Sequence, residues 1–160
     1  MNSTSTLAWR WRHHALQAID RIDAIRLDDL LGIDRQKAAL RENTAQFVAG
    51  LPANHALMTG ARGTGKSSLV KALLNEFADE GLRLIEVPPH DLIDLPEIVA
   101  PLRGKPERFI LYVDDFSVAN ADPALIALKT ALDGGIEAPA DNVLIYATSN
   151  RRFLMPTVHA

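Results

Sequence analysis

Residues 56 to 79 read ALMTGARGTGKSSLVKALLNEFAD, and one spacing within them constrains the fold most: Gly60, Gly65, Lys66 and Ser67 occupy the four fixed positions of G-x-x-x-x-G-K-[ST]. In a chain of 160 residues this pattern arises by chance on the order of once in two hundred at average residue usage. Its flanks sharpen it. "ALMT" reads as a short buried strand entering the loop. The stretch from Lys66 to Asp79 reads as a helix leaving it, with Leu69, Val70, Leu73, Leu74 and Phe77 on one face and Gly81 as the stop. Gly60, Gly63 and Gly65 let the backbone curl so that successive N–H groups point inward, Ala61, Arg62 and Thr64 complete the loop, and the helix adds its positive end. Such a cradle binds phosphate. Lys66 would reach the β and γ phosphates, Ser67 would ligate Mg²⁺, and Ser68 would line the cradle beside it.

The rest of the chain fits a sheet around that loop. "LDDLLGID" leads into a helix over "RQKAALRENTAQFVAG", with Asp34 as cap, Leu40, Phe47 and Val48 in the apolar stripe, and Gly50 as stop. "RLIEV" is a second strand. "DLPEIVAPLR" follows as a helix with a capping box of Asp94 and Glu97 and Pro96 in its first turn. "RFILYVDDF" is a third strand, "DPALIALKTALDGG" a helix capped by Asp122, and "NVLIYATSN" a fourth strand. Strands that are apolar throughout, alternating with helices, predict a parallel sheet covered on both faces, with ligands beyond the carboxyl ends of the strands. Residues 7–26, with mixed aromatic, basic and apolar character, are expected to form a partly helical, partly ordered arm (residues 1–26) ahead of a nucleotide-binding core (27–160).

Composition narrows the chemistry. A net charge of −3 supplies no global positive field, so coating of nucleic acid by bulk electrostatics is not expected. Without cysteine there is no disulfide, thiolate nucleophile or thiolate metal site. Apolar runs such as "FILYV" fall far short of the roughly 20 residues that span a bilayer, and Arg10, Arg12, Asp20 and Arg21 stand where a signal peptide needs an apolar centre. The chain therefore reads as cytoplasmic, with no membrane span.

Two further strand ends carry polar groups toward the same site. In "FILYVDD", Asp114 would hold the hydration shell of the metal and Asp115 would polarise the attacking water. In "YATSN", Asn150 can hydrogen-bond the γ-phosphate or that water. Arg151 and Arg152 follow directly, either as an arginine finger acting on a neighbouring subunit or as two solvated arginines.

On these residues the chain resembles the AAA+ branch of the P-loop ATPases. "GARGTGKS" matches Walker A, "FILYVDD" resembles Walker B, and "ATSN" is similar to sensor 1. Gly32-Ile33 sits where that branch places part of the adenine pocket. More narrowly, "NTAQFVAGLPANHALMTGARGTGKSSLVKALL", "GLRLIEV" and "NVLIYATSNRR" resemble a bacterial family of AAA+ ATPases described as a domain of unknown function; the likeness covers about residues 26 to 155. The resemblance implies a three-layer α/β fold with strand order 5-1-4-3-2, ATP and Mg²⁺ as ligands, and homo-oligomeric assembly with ATP at subunit interfaces. AAA+ hydrolases usually have Glu where this chain has Asp115. After "TSNRRFLMP" only "TVHA" remains, so strand five and the helical lid are expected to be missing and turnover by this chain to be weak.

Two alternatives to an ATPase acting on an unspecified protein client are a nucleotide-binding module without turnover and a P-loop small-molecule kinase. "WRWRHH" mixes aromatic and basic residues in a way that can stack on bases, yet tryptophans at that density more often pack on the domain or a neighbour. A nucleic-acid partner is thus unsupported by the sequence, and His55 and His90 lack the spacing of a zinc site.

Overall fold

The computed structural model describes residues 6–59, 66–114 and 140–149. Among these, six strands form one sheet: β1 (Ala8–Arg12), β2 (Ala15–Ala18), β3 (Ala56–Thr59), β4 (Leu82–Glu86), β5 (Arg108–Val113) and β6 (Val143–Ser149). Their order is β2-β1-β4-β5-β6-β3. All neighbours run parallel except β1 and β2. The four strands expected from the sequence thus lie in the order 1-4-3-2, with β6 between β3 and β5.

Period-two alternation sorts the side chains onto two cores. Leu82, Leu84, Ile110, Tyr112, Leu144 and Tyr146 face α1 (Asp34–Val48) and α2 (Lys66–Phe77), where Leu40, Phe47, Leu69, Leu73 and Phe77 meet them. Ile85, Phe109, Leu111, Val113 and Ile145 face the opposite way, onto Leu92, Leu95, Ile98 and Leu102 around the short α3 (Leu95–Val99). Strands covered on both faces must be apolar throughout, which is how "FILYV" and "VLIYA" read.

Four expectations need correction. The first concerns residues 8–18, which are not helical. They form a hairpin whose β1 joins the sheet against β4, pairing Ala8 with Leu84 and Arg10 with Glu86. The alternation in "WRWR" is a strand period: Trp9 and Trp11 turn to the α3 core, and Arg10 pairs with Glu86 at 3.0 Å. The two-residue turn His13-His14 places both residues at positive φ, 52° and 59°, as this tight hairpin geometry requires.

The second concerns Asp94, whose carboxylate makes no cap bond to α3. It instead accepts the indole N–H of the buried Trp11 at 3.0 Å. Third, the expected continuous helix over "DLPEIVAPLR" is a composite, with 3-10 turns at Pro89–Asp94 and Ala100–Leu102 on either side of α3. Proline lacks an N–H donor, so Pro89, Pro96 and Pro101 favour short turns over one long helix. Fourth, Asp34 is the first residue of α1 rather than its cap; its charge still lies in the first turn, where the helix dipole favours it.

The predicted stops are formed. Gly50 and Gly81 have φ of 83° and 98°, in the left-handed region that ends a helix. The helix expected over "DPALIALKTALDGG" lies outside the described residues.

Candidate functional site at the carboxyl ends of the strands

In parallel sheets of this kind, ligands bind where the strands point their carboxyl ends. Lys66 opens α2 directly after the glycine-rich segment, and Ser67 and Ser68 follow in its first turn. Asp114 emerges immediately after β5. Gly60, Ala61, Arg62, Gly63, Thr64, Gly65, Asp115, Asn150, Arg151 and Arg152 lie outside the described residues.

Asp114 is held by two hydroxyls. Tyr112 Oη donates to its Oδ1 at 3.0 Å, and Thr148 Oγ1, from β6, donates to the same oxygen at 2.9 Å. The Tyr112 phenol also shares a hydrogen bond with the Ser67 hydroxyl. Helix α2, strand β5 and strand β6 therefore meet at one polar node. Burial pushes the Tyr112 phenol well above its ordinary range; the Ser67 hydrogen bond pulls it partly back and the Asp114 charge raises it further. Tyr112 therefore stays protonated and remains a donor to the carboxylate.

Tyr112 is given no role by sequence motifs, whereas Thr148 lies in the polar strand end "ATSN" expected at this site. The signal available was register: Tyr112 lies two residues before Asp114 and so shares its face of β5. Tyr112 and Tyr146 are paired neighbours on β5 and β6, directed to the α1/α2 side. Tyr146 Oη bonds Asn43 Nδ2 at 2.9 Å and Thr44 Oγ1 at 2.8 Å, tying β6 to α1. His55, just before β3, accepts the Ile145 N–H at its Nδ1 across 2.9 Å, and burial lowers its pKa.

Gly32 has φ of 82° with open space where a Cβ would stand, and Ile33 packs against the α1/α2 core. Lys37 Nζ donates to the carbonyls of Leu27 and Leu30, both at 3.0 Å, fixing the lead-in to α1. A cleft of about 650 Å³ lies nearby, lined by residues that include Arg26, Asp28, Lys37, Arg41, Asn75 and Glu76. It sits on the flank of α1 and α2 with charges of both signs, away from the strand ends, so the phosphate chemistry is not placed there. A smaller cavity of about 110 Å³ does border Tyr112 and Asp114, with Arg10, Glu86, Val87 and Pro88 on its other sides.

The strand order, the parallel pairing and the helix that begins at Lys66 define the α/β fold of the AAA+ P-loop ATPases. Two solved structures share it. Caenorhabditis elegans PCH-2 matches with a TM-score of 0.53 at 20% identity, over 78% of this chain and 38% of that one. The Thermotoga maritima RuvB Holliday junction branch migration motor matches with a TM-score of 0.54 at 21% identity, over 78% of this chain and 41% of that one. This chain thus spans about two fifths of the length of each. A family model described as "Protein of unknown function (DUF815)" matches residues 3–160, and the chain belongs to that family. No curated protein matches it in sequence. No helix among the described residues is long and apolar enough to cross a membrane.

Proposed function

We propose that this chain is the nucleotide-binding core of a Mg²⁺-dependent ATPase. The observation that carries the reading is the node at Tyr112, which holds the Asp114 carboxylate and the Ser67 hydroxyl together next to a helix that opens with Lys66. The donor set fits the metal: Ser67 and Asp114 offer oxygen only, which suits Mg²⁺. When bound, Mg²⁺ would neutralise charge on the phosphates of ATP.

The side chains divide the remaining work. Lys66 and the amides of residues 60–65 bind the phosphates, with Gly32 and Ile33 bordering the adenine. Ser67 and Asp114 hold the metal and its water, and Thr148 and Tyr112 fix the orientation of Asp114. Asp115 polarises the attacking water and Asn150 positions it. Arg151 or Arg152 would stabilise charge on a neighbouring subunit's phosphate in a homo-oligomer. The compartment proposed is the cytoplasm.

The test is nucleotide binding and turnover measured side by side. Lys66→Ala is expected to abolish ATP binding, and Asp115→Asn to keep binding while removing hydrolysis. Turnover is expected to rise with protein concentration if an arginine acts between subunits. ATP binding with no turnover at any concentration would leave a nucleotide-binding module, phosphorylation of an added metabolite would point to a kinase, and no ATP binding would overturn the proposal.

A further inference from the structure

We propose that His14, Asp94 and Glu97 form a binding site for a divalent transition metal of the zinc class, bridging the turn of the N-terminal hairpin and the start of α3. His14 Nδ1 lies 3.0 Å from Glu97 Oε1 and 3.7 Å from Asp94 Oδ2. The three ligand atoms all lie within 4.8 Å of one another. Tetrahedral zinc with bonds of about 2.0–2.2 Å to nitrogen and oxygen needs its ligand atoms roughly 3.3–3.6 Å apart, so small side-chain adjustments convert this corner into a three-ligand site with a position open to water.

The side chains are already oriented for it. Asp94 and Glu97 stand three residues apart at the start of α3, a spacing that brings both carboxylates to one side. Asp94 is steered by the Trp11 indole N–H at 3.0 Å rather than by the helix end. A hydrogen bond from a neighbouring group to a ligating carboxylate is what keeps metal ligands oriented. The second lone pair of Asp94 Oδ2 remains for the metal. Imidazole with carboxylates suits Zn²⁺, Ni²⁺ or Cu²⁺ and disfavours Mg²⁺, so the site is chemically distinct from the oxygen donors at Ser67 and Asp114. A metal there would lock the hairpin onto α3 and stabilise the folded chain by mass action.

The full chain, titrated with Zn²⁺ in excess Mg²⁺, is expected to bind one ion at this corner and to melt at higher temperature with it. His14→Gln and, separately, Glu97→Gln should each weaken binding by at least about tenfold; both side chains are on the surface, and circular dichroism checks the fold. Asp114→Asn should leave Zn²⁺ binding intact. In the unmutated chain Cu²⁺ should quench tryptophan fluorescence, because the Trp11 and His14 rings lie 6.3 Å apart, and Zn²⁺ in large excess should reverse the quenching, since Cu²⁺ binds such a site more tightly. The absence of saturable Zn²⁺ binding, an affinity in both variants unchanged from the unmutated chain, loss of binding in Asp114→Asn alone, or no quenching by Cu²⁺ would each overturn the site and leave a plain His–carboxylate ion pair.

Discussion

The Tyr112 phenol donates to Asp114 Oδ1 across 3.0 Å and hydrogen-bonds the Ser67 hydroxyl as well, so one buried side chain links strand β5 to the first turn of α2. In Tyr112→Phe the ring still fills the core, but Asp114 keeps only Thr148 as a donor. A hydrogen bond to a charged group contributes about 1.5–3 kcal/mol when buried. Asp114 is itself exposed, so we expect the lower end or less, roughly a fivefold to tenfold weakening of Mg-nucleotide binding. Titrations with and without Mg²⁺ check this: an equal loss in both would mean that the phenol orients the cradle rather than the carboxylate.

His55 makes stability pH-dependent. Its Nδ1 must be unprotonated to accept the Ile145 N–H, and burial lowers its pKa below the ordinary 6.5. The folded chain therefore binds this proton less readily than the unfolded one, and the stabilisation is complete above about pH 6.5. It is lost as the pH falls from there through the lowered folded value. Urea midpoints measured between pH 8 and pH 5 should fall on the acid side, and His55→Gln should flatten that part of the curve.

Asn142 fastens the start of β6. Its Nδ2 donates toward the carbonyls of Leu102, Lys105 and Glu107 at 2.8, 3.2 and 3.3 Å, and the residue is buried. Asn142→Ala leaves those carbonyls without this donor and should cost about 1–3 kcal/mol. Asn142→Asp should cost more, since a carboxylate there would face three carbonyl oxygens. Denaturant unfolding of the two variants gives the order, and an aspartate variant as stable as wild type would contradict it.

Trp11 serves the sheet in two ways, through its packed ring and its N–H. Trp11→Phe should lose mainly the bond to Asp94, about 1 kcal/mol, whereas Trp11→Ala should cost about 3–5 kcal/mol. Removing residues 1–18 altogether would uncover the edge of β4, and an apolar open edge favours association. Light scattering of the shortened chain should show aggregates absent from the full chain; a stable monomer would show that the hairpin is dispensable.

Much of the fold was legible because its signals are local. The apolar runs of β5 and β6, the 3.6-residue stripe of α2, and Gly50 and Gly81 as stops each depend on neighbours a few positions away. The hairpin was missed although "WRWR" alternates with a strand period, because what buries Trp9 and Trp11 is β4 and the α3 core, more than sixty residues later. Asp94 was misread for a similar reason. Its local sequence favours a cap, and a tryptophan 83 residues away takes the carboxylate instead.

By itself the sequence determined a G-x-x-x-x-G-K-S loop between a strand and a helix, an acidic end to "FILYV", and an alternation of strands and helices. These follow from spacing along one segment of chain, which backbone geometry converts directly into local structure. Only the tertiary structure decided that the Tyr112 and Thr148 hydroxyls both donate to Asp114 Oδ1, that His14 meets Asp94 and Glu97, and that β1 extends the sheet. Each depends on the register of strands distant in the chain, where a shift of one residue would turn every side chain to the other face.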